Sequence, residues 1–172
     1  VSGRFDGRMP FPEPSAKPHY APSRTFKMDH IEVWLSFEPE ARTFSGRSRV
    51  HFSLLPSHAG TMKLDLDEVT VESVTDLAGS PLTWRLGDGH LTIEGATTGV
   101  EVRWHGADPQ CGLYFTGPTE GLPDRPYSAW TQSQDEDAHF FMPCCDHPRT
   151  KHPWTIHLDA PEGYTLLSNG AM

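Results

Sequence analysis

Cysteine is scarce in this sequence, with only Cys111, Cys144 and Cys145 among 172 residues. An odd number with two adjacent members makes a poor disulfide framework. A reducing compartment such as the cytoplasm is the simpler expectation. Long apolar runs are missing as well. None approaches the roughly 20 residues that a membrane-spanning helix needs. The opening Val1-Ser-Gly-Arg-Phe-Asp6 lacks the apolar centre of a signal peptide, although a chain whose leader had been removed would read the same. Basic residues are outnumbered, 14 Lys and Arg against 23 Asp and Glu, for a net charge of −9. That balance argues against nucleic acid and anionic membranes as partners. It mildly favours cationic ligands, such as a peptide with a free amine. Sustained helical periodicity is also lacking. The best short helix candidate, Gln134 to His139, is acidic and brief.

What is present is proline at one end and strand alternation after it. Prolines stand at 10, 12, 14, 18 and 22. Proline fixes φ and removes a backbone donor, which excludes a helix or a central strand there. Residues 1–23 therefore read as a proline-rich extended arm and residues 24–172 as one β-rich domain. In the domain, Ile31, Val33, Leu35 and Phe37 share one face, as do Val50, Phe52 and Leu54. The two segments read as a hairpin. Met62 to Leu66 and Val69 to Thr75 follow as short strands. Gly87-Asp-Gly89 between Leu82–Leu86 and His90–Glu94 is a strong hairpin signal. Val100 to Trp104 is a further strand. Gly106 to Tyr127, rich in Gly and Pro, reads as a long surface loop. Strand character returns at Trp154–Leu158 and Tyr164–Leu167. The expected fold class is all-β, with antiparallel sandwich or saddle-like sheets.

Three other chemistries compete for attention. Cys144, Cys145, His147 and His152 lie close in sequence. A zinc site needs four ligands converging tetrahedrally, but adjacent cysteines point apart in an extended chain and no second Cys-x-x-Cys exists. No metal site is expected here. A Cys–His nucleophile needs an exposed thiol of low pKa, for which the sequence offers no context. The five tryptophans, at 34, 84, 104, 130 and 154, invite an alternative function: a stand-alone β-sandwich binding module for a carbohydrate or protein ligand. Four of them sit in strand patterns and read as core or interface anchors.

An ordered set of short motifs fills the last third of the chain. Cys111-Gly-Leu-Tyr-Phe115 is followed by Trp130-Thr-Gln-Ser-Gln134, then by Pro143-Cys-Cys-Asp-His-Pro148, Lys151 and Ser168-Asn-Gly170. This order resembles the amino-terminal domain of zinc aminopeptidases of the aminopeptidase N and leukotriene hydrolase family. Phe44-Ser-Gly46 fits the family's opening sheets more loosely. One departure is visible: where the family has Arg after Asp-Ala, this chain has His139.

The resemblance implies a domain without catalytic residues of its own. The metal-binding His-Glu-x-x-His is absent from the sequence, and one zinc is expected in a separate catalytic domain. It also implies that Gln134, with Gln132 and Ser133 beside it, binds substrate. The Gln134 amide oxygen would accept a hydrogen bond from the terminal ammonium of a peptide. The implied partners are a peptide with a free N-terminus and the parent's catalytic domain. The family's domain continues past Ser-Asn-Gly with more strands, so truncation at the C-terminal end is expected. An incomplete sheet would leave an edge open to self-association.

Overall fold

The computed structural model of the chain describes residues 22–56 and 60–171. The arm read at 1–23 falls almost wholly outside them. Among the described residues ten strands follow in order: β1 Phe26–Glu38, β2 Thr43–Leu54, β3 Thr61–Asp65, β4 Thr70–Asp76, β5 Trp84–Gly87, β6 His90–Glu94, β7 Gly99–Ala107, β8 Gly112–Thr116, β9 Ser128–Gln132 and β10 Trp154–Asp159. A 3-10 turn at Ala138–Phe140 replaces the helix considered for Gln134 to His139.

The alternation in β1 and β2 builds the main sheet. Ile31, Val33, Leu35 and Phe37 face inward and are buried, while Glu32, Trp34 and Ser36 face out. Val50 and Phe52 of β2 continue the inner face, and β7 adds Val100, Val102 and Trp104. The five strands lie in the order β10-β1-β2-β7-β4. A second sheet, β3-β6-β5, contributes Met62, Leu64, Leu91 and Ile93 to the same core. Burying each such side chain stabilises the fold by about 1.5–3 kcal/mol. The β5–β6 turn is Asp88-Gly89, with φ of 55° and 72°. Positive φ at both positions matches the twist of the flanking strands and accounts for the aspartate and glycine there.

Three details depart from the sequence reading. The stretch read as a loop from Gly106 to Tyr127 contains β8, which pairs with β9 in a two-stranded sheet. Only Leu113 and Phe115 carry its inward pattern, too few positions to stand out among glycines and prolines. Tyr164–Leu167 forms no strand. The main sheet is mixed, because β10 runs parallel to β1 at its edge.

Candidate functional site

The motif residues gather at the end of the β8–β9 hairpin. Gln132 is the last residue of β9 and stands opposite Gly112 of β8. Ser133 leaves the strand. Gln134 opens a turn that runs through Asp137 into the 3-10 turn, and the Asp137 N–H donates to the Ser133 carbonyl at 3.2 Å. The Gln134–Asp135 peptide bond is cis. Gln132 and Gln134 are both exposed, with Ser133 between them half-buried. Ser133, Gln134 and Asp135 line a cleft of about 500 Å³ with Asp146, His147 and His152.

A chain of polar contacts anchors this turn. Asp146 Oδ2 accepts two bonds from His139, from its main-chain N–H at 2.9 Å and from ring Nδ1 at 2.8 Å. The Asp146 N–H donates to Asp65 Oδ2 at 2.7 Å. Arg24 donates to the same oxygen at 2.6 Å and to the Lys63 carbonyl at 3.0 Å. Asp65 and Cys144 also exchange main-chain bonds at 2.8 and 3.2 Å, which joins the motif segment to β3. The hydrogen bond to Asp146 raises His139 above the ordinary histidine value, against the opposing effect of burial. Asp146 thus holds the backbone amide of His139, seven residues before it.

Two further contacts seat the turn. Gly112 has φ of 81°, and a Cβ there would lie 2.0 Å from the Asp137 carbonyl oxygen. The Trp104 indole N–H donates to the Phe141 carbonyl at 2.8 Å, just past the 3-10 turn. The sequence motifs include Gly112 and Asp146, but Arg24, Asp65 and Trp104 carry no local signal of their role. They meet the site across 37 to 81 residues of chain.

The cysteines are free. Burial pushes Cys145 up to about 12 and Cys111 up to about 11, with Asp137 adding to the rise at Cys111. Thiols held in that range are poor nucleophiles at neutral pH. His152 has both ring nitrogens buried without a hydrogen-bond partner among the described residues. Burial first, and then His30, hold it below the usual histidine value. Among the described residues no cluster of three His, Cys, Asp or Glu side chains could hold a metal. No helix among them is long and apolar enough to cross a membrane. Of the tryptophans, Trp104 is buried in the core, and Trp34 carries His157 stacked at 4.7 Å and Arg47 at 3.7 Å from its ring. Trp130 is 51% exposed and stacks on Tyr114.

Comparison with known proteins agrees with the motif order. A family model for the peptidase M1 N-terminal domain matches residues 18–172. Tricorn protease-interacting factor F2 of Thermoplasma acidophilum is 25% identical over 147 residues, covering 83% of this chain. Aminopeptidase N of Lactobacillus delbrueckii subsp. lactis is 27% identical over 155 residues, covering 84% of it. The chain spans 18% of the length of each of these relatives. Among solved structures, leukotriene A4 hydrolase from Saccharomyces cerevisiae superposes with a TM-score of 0.70 at 21% identity, over 86% of this chain and 26% of that one. An M1 zinc metallopeptidase from Deinococcus radiodurans does so with a TM-score of 0.64 at 20% identity, over 80% and 33%. At these identities the structural likeness speaks for the fold. The family match, over nearly the whole chain, shows that this protein belongs to the peptidase M1 N-terminal domain family.

Proposed function

We propose that this chain is the non-catalytic N-terminal domain of a zinc metalloaminopeptidase that removes N-terminal residues from peptides. The zinc and the hydrolytic groups lie in a separate catalytic domain, and this chain alone has no peptidase activity. Its contribution to substrate is Gln134, flanked by Gln132 and Ser133. The observation that carries the reading is the placement of Gln134: exposed, lining a cleft, and on a turn that part-buried polar contacts at His139 and Asp146 anchor from behind. An amide oxygen so placed can accept from a peptide's terminal ammonium, a charge-assisted bond stronger than a neutral one. Gln134→Ala in the full-length protein is expected to lower kcat/KM on free-amine peptides by more than about tenfold, or about 1.4 kcal/mol. Unchanged kinetics on every such substrate would retire the assignment.

The docking surface for the rest of the parent follows from the edge of the main sheet. Among the described residues β10 has a neighbour on one side only. Its inward residues Trp154 and Ile156 are 37% and 41% exposed, and Ile156 lines a groove of about 710 Å³ with Leu166 and Leu167. An unpaired strand with apolar side chains is a template for pairing. The chain on its own is expected to self-associate through this edge. Sedimentation showing only monomer at high concentration would count against that surface.

A further inference from the structure

The contacts behind Gln134 differ in one respect. Arg24 is permanently charged, and the main-chain links do not titrate near neutrality. The ring of His139 does. Its Nδ1 donates to Asp146 Oδ2 at 2.8 Å, and its carbonyl accepts from the Asp67 N–H at 3.0 Å. The residue thus ties the turn that opens at Gln134 to two other segments, the Pro143–Pro148 turn and the chain just after β3.

Charged groups around the ring favour its cation. Asp146 is in direct contact, Asp65 lies behind it, and the main chain of Glu136 adds a hydrogen bond. The Phe140 ring packs at 4.2 Å. Beyond Asp65 stand Arg24 at 2.6 Å and His90 at 3.4 Å, both drawn to the far carboxylate rather than to the imidazole. A neutral imidazole can keep the Nδ1–H bond to Asp146, and protonation adds the attraction of an ion pair to it.

We propose that His139 is a positioning residue whose bond to Asp146 steadies the turn presenting Gln134, so that the hold on a substrate's amino end is firmest when the ring is protonated and slackens on deprotonation. This rests on the assignment of Gln134 to substrate. The sign follows from linkage. A histidine raised by its fold contributes stability that is fully present below the ordinary value, about 6.5, and is lost as pH rises through the higher folded value.

The test uses the full-length protein with His139→Arg and His139→Gln. Arginine keeps a permanent donor pair for the carboxylate, and glutamine keeps a neutral donor. Amide hydrogen exchange of residues 133–140 is measured between about pH 6 and pH 8.5 and corrected for intrinsic rates, beside KM and kcat on a free-amine peptide. In the unmodified protein, protection of that segment should fall by at least about threefold across the range, and KM should rise with it. His139→Arg should flatten both profiles at the protected level. His139→Gln should flatten them at the unprotected level, with KM raised and kcat little changed. Identical protection profiles in all three proteins would overturn the proposal, whatever Gln134 does. If the protection profiles behave as expected while Gln134→Ala is kinetically silent, the steadying role of His139 is supported and the Gln134 assignment falls.

Discussion

Trp104→Ala is expected to destabilise the domain by about 3–5 kcal/mol, the cost of emptying a buried tryptophan site. Trp104 is 1% exposed and lies directly across from Gly46 in the β2–β7 ladder. A Cβ on Gly46 would come within 2.2 Å of the indole. The glycine therefore supplies the space that the ring fills, and the sheet cannot easily collapse around its removal. The indole does more than fill volume, since its N–H satisfies the Phe141 carbonyl at 2.8 Å. Trp104→Phe separates the two contributions. It keeps much of the apolar bulk and strands the carbonyl, at about 1–3 kcal/mol for an unsatisfied buried acceptor. Urea titration of the three proteins reads both values. A phenylalanine variant as stable as the original would mean that the bond to Phe141 does not contribute. Because Phe141 follows the 3-10 turn, the same variant should also loosen the segment from Ala138 onwards.

The sheet scaffold was legible because alternation is a local property. Ile31 to Phe37 and Val50 to Phe52 declare their inner face within a few residues, and Gly87-Asp-Gly89 declares its turn. What failed was whatever depends on a distant partner. β8 is defined by pairing with β9 across a loop, and its own sequence offers only Leu113 and Phe115 as inward positions. The parallel seating of β10 against β1 joins Ile31 to Trp154 and has no counterpart in either segment alone. The site divides the same way. Motif order singled out Gln132, Ser133, Gln134 and Asp146, but motif order says which residues recur together and not what holds them. Arg24 and Asp65 reach Asp146 only through folding, and nothing around Asp65 in Met62 to Leu66 distinguishes its carboxylate from a solvated one. A carboxylate largely withdrawn from water is costly unless paired and hydrogen-bonded, and the groups that do this for Asp65 come from elsewhere in the chain.

Gly112→Ala is expected to damage the site with comparable force, through backbone rather than core. With φ of 81°, Gly112 lies where an L side chain is strained by about 1–2 kcal/mol. That strain is the smaller part. The added methyl would lie 2.0 Å from the Asp137 carbonyl oxygen and 3.0 Å from its carbon, with the Phe141 ring at 3.2 Å. A main-chain carbonyl cannot swing aside as a flexible side-chain end can. Either β8 parts from β9 at Gln132, or the Gln134–Asp137 turn lifts off the hairpin. The second course keeps the β8–β9 ladder, so its effect would be concentrated at the turn. Amide exchange should then show residues 133–140 losing protection while Leu113 to Phe115 keep theirs, together with a raised KM on free-amine peptides in the full-length protein. A variant that melts, exchanges and turns over like the original would mean that the hairpin and the turn do not touch at Gly112, and the geometry that presents Gln134 would have to be redrawn.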